Sequence, residues 1–429
     1  MKIIFRINYI FFLLLVTILK TEASPERTGI SDSSSLSFRS AAFNSNGMKF
    51  PFSASKMDVD SLEMLHTGTP EIKNEPMDVK KEFLPPHELK LGLTGIYQVS
   101  PAGKEQINHG GKISAASGSV DIEMSFFPLK TSRTFLHLES GKGSGLDAIA
   151  ESFSGFNFDA DDNPELRVTE LWYEQDLLEG RLRSQLGKID LSTTFDRNIA
   201  ANSETLQFLS PGFRNNPALE FPVRNSPGLS LWLSTGELFD LGFAIAEADA
   251  DWNRIFDDLF SILEIDLKPQ FNQMQGNYRL YFWKNNLQHQ LLLKEGNSQK
   301  GNYGFGISAD QELSRSLIVF SRIGIQRGDL SRMHYAFSAG LQFSSDNTET
   351  EENVFGAAYG INFIGRYGRM LDSMSFITSA HEHHIELYYN FRLNSFIRIS
   401  PDIQWIKNLE ANARAGSLWA FGLRTQFSI

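Results

Sequence analysis

The chain has no cysteine, no long uncharged hydrophobic run after residue 19, and fewer basic than acidic residues. Each shortage excludes something. Without cysteine no disulfide staples the fold, so it must close by hydrogen bonding and burial. Without a second long apolar run a helical membrane protein is excluded, since about 20 apolar residues are needed to cross a bilayer as a helix. With 40 basic residues against 51 acidic ones, net charge -11, a nucleic-acid partner is not expected. There is also no Gly-x-Ser-x-Gly nucleophile elbow. A barrel hydrolase would need a serine, a histidine and a carboxylate or amide meeting near one rim. Only nine histidines exist: His66 and His87 lie in or beside a polar lead-in, and His381, His383 and His384 fall in an expected loop. An enzyme is therefore not expected, and no cofactor is implied.

What is present begins with a secretory pattern. Lys2 and Arg6 form a basic start, Ile10 to Leu19 is apolar apart from Thr17, and Thr21-Glu22-Ala23 ends in a small residue. This predicts a signal peptide over 1–23 and a mature chain from Ser24. That mature chain carries 37 basic and 50 acidic residues, once Lys2, Arg6, Lys20 and Glu22 are removed. Residues 24–86 are rich in serine (Ser31, Ser33, Ser34, Ser35, Ser37) and proline (Pro51, Pro70, Pro76, Pro85, Pro86). Their apolar periodicity is poor, which predicts a disordered or loosely structured segment.

From residue 87 the texture changes to repeated alternation. In Ile385-Glu-Leu-Tyr-Tyr-Asn-Phe-Arg-Leu393, Ile385, Leu387, Tyr389, Phe391 and Leu393 share one face, and Glu386, Tyr388, Asn390 and Arg392 the other. Successive strand side chains point to opposite sides, so an apolar wall backs a polar one. Tyr335 to Phe343, Phe355 to Phe363 and Trp419 to Phe427 repeat the pattern. A soluble sandwich would alternate too. Aromatics near the strand ends, the unbroken succession of such segments and the amphipathic final strand favour a transmembrane barrel, whose wall needs only every second residue apolar. The mean hydropathy of -0.24 fits that wall. The expected fold is all-β: a transmembrane antiparallel barrel over 87–429, with room for roughly 14 to 18 strands and a water-filled lumen.

One hairpin can be registered. A tight turn at Glu179-Gly180 pairs Leu178 with Arg181, Asp176 with Arg183 and Glu174 with Gln185. Glu170, Glu174, Asp176, Arg181, Arg183 and Gln185 then share one face, and Leu171, Tyr173, Leu177, Leu182 and Leu186 the other. Charges of both signs on a face that is not lipid imply a wet lumen. The following stretch, Phe195 to Pro222, lacks steady alternation and is rich in Asn and Pro. A long loop in a barrel either extends outward or folds in to narrow the pore. Asn198, Asn202, Gln207, Asn215 and Asn216 with Phe208 and Phe213 suit a polyhydroxy solute, amides for hydroxyls and rings for apolar sugar faces.

These segments resemble the carbohydrate-selective porin (OprB) family. The resemblance rests on Leu171-Trp-Tyr-Glu-Gln175, Gly180-Arg-Leu-Arg183, Leu186-Gly-Lys-Ile-Asp190 and the Phe195 to Pro222 stretch. It extends to Gly276-Asn-Tyr-Arg-Leu-Tyr281 with Trp283, Ser400-Pro-Asp-Ile-Gln-Trp405 and Gly422-Leu-Arg424. It implies sixteen strands in the outer membrane and passive diffusion of monosaccharides through a polar constriction, as a monomer or homotrimer. By position the candidate lining is Glu170, Glu174, Asp176, Arg181, Arg183, Asn198, Asn202, Glu204, Asn215 and Asn216. The other reading is a general or ion-selective diffusion porin. Two metal-like patterns are set aside. Asp159 to Asn163 with Glu170 has calcium-loop spacing, but Pro164 stands where a glycine is needed. His381 to His384 sits on extended chain, where adjacent side chains diverge.

Overall fold

The computed structural model describes residues 87–101, 113–294, 296–345 and 353–429. The expected signal peptide and the Ser/Pro-rich segment lie outside the described residues. Seventeen strands form one sheet, and the two-residue strand Gln270–Phe271 only lines a turn. The other sixteen make the wall: β1 His87–Ser100, β2 Ile113–Leu129, β3 Ser132–Gly143, β4 Arg167–Leu177, β5 Leu182–Ile189, β6 Ser226–Ser234, β7 Phe239–Glu247 and β8 Leu259–Leu267. They continue as β9 Met274–Gln290, β10 Ser298–Ser314, β11 Leu317–Gln326, β12 Met333–Ser344, β13 Val354–Ile364, β14 Glu382–Arg392, β15 Ile397–Lys407 and β16 Ser417–Ser428.

Each strand pairs antiparallel with its neighbour in sequence, and β1 pairs with β16 from Gly92↔Ser428 to Val99↔Phe421. The sheet closes on itself, which a sandwich does not do. Closure matters because lipid offers backbone amides and carbonyls no partner, so an open edge would leave them orphaned. Tight turns join strands at one rim, as at 178–181 and 315–316. The long connections 144–166, 190–225, 248–258 and 365–381 lie at the other.

The alternation places side chains as expected. On β14, Ile385, Leu387 and Phe391 are exposed outward, while Glu386, Tyr388 and Asn390 are buried inward. On β16, Trp419, Phe421 and Leu423 face out, and Arg424 and Gln426 face in. One boundary differs. Strand β14 starts at Glu382, so His383 and His384 belong to the wall rather than to a loop, because the ladder to β13 runs on through Ile361↔His383 and Asn362↔Glu382. Their rings do diverge: His384 is buried inside, 3.3 Å from Ser210 Oγ, and His383 meets the Tyr359 hydroxyl at 2.7 Å.

Inside the wall, rings sit over glycines directly opposite on the next strand. The pairs are Trp232/Gly242, Tyr281/Gly306, Trp283/Gly304, Phe320/Gly340 and Tyr388/Gly356. A Cβ at Gly242 would come within 2.6 Å of the Trp232 ring, and the other four glycines are equally occupied. A ring fills the space its neighbour leaves, which also pins strand register. Gly356→Leu should therefore displace Tyr388 and cost about 1–3 kcal/mol, the usual range for overpacking. A urea midpoint for the refolded barrel checks this, and an unchanged midpoint would refute the seating.

Candidate functional site

The lumen is occupied by two connections. The first, 144–166, buries Leu146 and Phe156 against Ile113, Ile406 and Leu418 of the wall. Its short 3-10 turn Leu146–Ala148 presents Asp147, whose carboxyl accepts from the amides of Phe156 and Asn157 at 2.7 and 2.9 Å. Burial nevertheless pushes that carboxyl up to about 6. Gln98 of β1 and Gln404 of β15, two strands apart in the wall, donate to the Phe156 carbonyl at 3.0 and 2.9 Å.

The second connection, 190–225, crosses the lumen. Asp190 starts it as a cap, accepting from Ser192 N at 2.8 Å, and the short helix α1, Pro211–Arg214, lies at its far side. Wall charges hold it along the way. Glu264 of β8 accepts from Asp196 N at 2.8 Å. Ser308 of β10 donates to the Arg197 carbonyl at 3.0 Å. Arg322 of β11 donates to the carbonyls of Asp196, Ala201 and Phe213 at 3.0, 2.8 and 2.6 Å, with the Asp196 carboxylate 3.4 Å away. Glu386 of β14 accepts from Leu209 N and Ser210 N at 2.5 and 3.1 Å. Arg424 of β16 donates to the carbonyls of Glu204 and Gln207 at 2.6 and 2.9 Å. Ends of irregular backbone that would be orphaned in a dry interior are thus met by charged groups, whose hydrogen bonds are stronger than neutral ones. Burial pushes the Asp196 carboxyl above its ordinary range, against the pull of Arg322.

The loop's apolar residues complete the packing. Phe195 meets Trp232 with ring centroids 5.0 Å apart, and Phe208 meets Tyr388 edge-on at 4.9 Å. Phe208 and Phe213 are each 1% exposed. They are therefore spent on the wall, a correction to the expectation that they stack on sugar.

The candidate lining residues fall into two groups. Asn198, Glu204 and Asn216 are buried and shape the loop itself. Asn198 donates to the Ala309 carbonyl at 3.1 Å and accepts from Ala200 N at 3.0 Å. Glu204 takes Arg214 Nε at 2.6 Å, and Asn216 N donates to Asp196 at 2.6 Å. Asn215, half-buried, accepts from Arg214 Nη1 at 2.8 Å and donates to the Ser192 carbonyl at 3.1 Å. Asn202, also half-buried, donates its backbone N–H to Gln207 Oε1 at 2.7 Å.

The second group lies on the β4–β5 hairpin, whose register is the expected one, Asp176↔Arg183 and Glu174↔Gln185. The turn takes left-handed backbone at Leu178, Glu179 and Gly180. Arg183 Nε stands 3.4 Å from Asp176 and 3.7 Å from Glu174, all three partly exposed. Arg181 is exposed in the turn at the rim, off the wall. Glu170 is buried, accepting from Trp172 Nε1 at 3.0 Å and lying 3.8 Å from His137. Beside this ladder Arg133 lies 5.0 Å from the Phe135 ring centre and 5.2 Å from that of Trp172.

The residues of the acidic pattern point to separate partners. Asp159 meets the Ser119 hydroxyl at 3.3 Å, Asp161 pairs with Arg167, and Glu170 is on β4. Among the described residues, one group of carboxylates has donor atoms within 4.8 Å of one another: Glu247, Asp249 and Asp251, at the β7–β8 connection.

Missing from the candidate list are the tethers Glu264, Arg322, Glu386 and Arg424. The signal was their position: a charge on the polar face of an amphipathic strand, opposite an apolar wall. Arg424 even stood inside one of the quoted motifs.

A closed sixteen-stranded antiparallel barrel with a polar interior and loops folded into it is a porin-type channel fold. The sequence profile described as "Carbohydrate-selective porin, OprB family" matches residues 130–429. The chain belongs to that family. The high-pH structure of Pseudomonas putida OprB is similar, with a TM-score of 0.68 at 16% identity over 80% of this chain and 94% of that one. The low-pH structure of the same protein gives 0.51 at 15% identity, over 80% and 92%. An uncharacterized protein of Aquifex aeolicus (strain VF5) is 27% identical over 241 residues, 56% of this chain. This chain spans 62% of that relative's length.

Proposed function

We propose that the protein is a passive outer-membrane channel for monosaccharides, with the 190–225 connection as its constriction. The observation that supports this reading best is the crossing of the lumen by a loop tied to β8, β10, β11, β14 and β16. A loop so fixed narrows the passage to a set width. In a barrel without moving parts, width and lumen charge set selectivity. Glu174, Asp176, Arg181 and Arg183 keep exposed polar atoms and are proposed as the lining that solutes meet at the tight-turn rim. They can trade hydrogen bonds with sugar hydroxyls as water leaves. Asn198, Asn202, Glu204, Asn215, Asn216 and Glu170 act one step back, by holding the shape of loop and wall.

Liposome swelling is the test. Monosaccharides should enter proteoliposomes at least tenfold faster than a trisaccharide, with a rate that saturates. A rate that falls smoothly with solute size and never saturates would replace the sugar reading with a general diffusion porin.

The hairpin charges give a second expected result. Arg181→Gln with Arg183→Gln should move permeability toward cations. At ~8 Å in water each lost charge is worth about 0.5 kcal/mol, so cation entry should rise and anion entry fall by about fivefold each. A reversal potential in a salt gradient measures it, and an unchanged potential would take these residues off the ion path.

A further inference from the structure

A cleft lies outside the barrel. It has a volume of about 830 Å³ and sits where the long-connection rim meets the outward wall of β10, β12 and β13. Its floor holds the outward rings Tyr303, Tyr335 and Phe363, the last two directly opposite each other across the β12–β13 pair. Over it stands helix α2, Arg366–Met374, which contributes Arg366 and Arg369, with His381 alongside.

Among the described residues no carboxylate neutralises the charges of Arg366 and Arg369. Among the described residues Arg366 has no hydrogen-bond or ion-pair partner. Arg369 donates only to the Ile364 carbonyl, at 2.5 Å. The one carboxylate in the cleft, Asp329, is already held by Arg327 at 2.6 and 3.1 Å. That guanidinium keeps the Asp329 carboxyl below its usual range. Arg366 and Arg369 also occupy the first half of a helix with no acidic residue in its first turn. Cations there oppose the helix dipole, so they do not serve the helix. His381 Nδ1 accepts from Ile364 N at 3.3 Å, which leaves Nε2 to carry the proton as a donor.

The result is an amphiphile's complement: outward-facing rings on the wall, and beside them at the rim guanidiniums without a carboxylate partner among the described residues. We infer that this cleft binds a phosphate-bearing lipid of the outer leaflet, its phosphate on Arg366 and Arg369 and its apolar part against Tyr303, Tyr335 and Phe363. Guanidinium forks suit phosphate oxygens in pairs, and tyrosines suit the membrane interface. Free phosphate would leave the ring floor unused. The inference rests on the outer-membrane reading above.

The test uses the full chain refolded in detergent and native mass spectrometry. Probes are diphosphoryl lipid A, the same lipid dephosphorylated, and inorganic phosphate. Wild type should hold the phosphorylated lipid at least tenfold more tightly than the dephosphorylated one. The double variant Arg366→Gln, Arg369→Gln should lose that preference while its single-channel conductance stays at the wild-type value. If that variant fails to refold, the preference of wild type between the two lipids still decides. Equal binding of both lipids, or a variant that retains the preference, would overturn the inference. So would saturation by inorganic phosphate without preference for lipid, which marks a free-anion site. A wild type free of lipid that instead associates through these arginines would replace it with a subunit contact. Intact channels with no lipid preference sink this inference alone, whereas a folded barrel without channels sinks the earlier reading.

Discussion

Arg322→Ala should release the lumen loop and widen the channel. The side chain is 1% exposed and gathers three loop carbonyls and the Asp196 carboxylate. Truncation leaves that carboxylate buried without its cation, and breaking a buried pair this way costs about 3–5 kcal/mol. The barrel does not depend on the loop for its ladders, so the cost falls on loop docking. Single-channel conductance in a planar bilayer should rise severalfold, and discrimination between monosaccharide and trisaccharide should fall toward one. A variant with wild-type conductance and discrimination would show that the Arg322 contacts do not hold the constriction.

Glu386→Ala should free the far side of the same loop. The carboxylate receives two backbone amides from Leu209 and Ser210. Each buried donor left without a partner costs about 1–3 kcal/mol, so the pair outweighs any single packing contact nearby. Helix α1 begins one residue later, and Arg214 at its end is buried in the native chain. Once the segment lifts, Arg214 becomes a site for trypsin. Brief digestion of folded barrels should nick the variant after Arg214 at least tenfold faster than wild type, with the barrel still folded by gel mobility. Equal nicking rates would mean the segment is held by other contacts, such as Arg424 on the Glu204 and Gln207 carbonyls.

The wall was legible in the sequence because strands carry their own signature. In Ile385 to Leu393 every second residue is apolar, and that alone assigns inside and outside. The β4–β5 register followed from one short turn and complementary charges. The loop was legible only as a loop. Its amides and rings were compatible with lining a pore or with packing in one, and composition does not separate the two. Phe208 and Phe213 went to the wall because Phe320 and Tyr388 offer rings there. Those neighbours are over a hundred residues away in sequence. The tethers were hidden for the same reason. Arg322 and Glu386 look like ordinary polar-face residues until the loop is placed beneath them. The ring-over-glycine pairs were half visible: Gly356 falls on the inner face of Phe355 to Phe363, but its partner Tyr388 lies on another strand.

Sugar titration of single-channel current in wild-type protein tests the central claim most directly. Refolded barrels in a planar bilayer should give steps whose size falls saturably as glucose is added, because a sugar resident at the constriction excludes ions while it stays. Steps that keep their size through the whole titration would contradict a sugar-binding constriction and leave a channel that merely sieves.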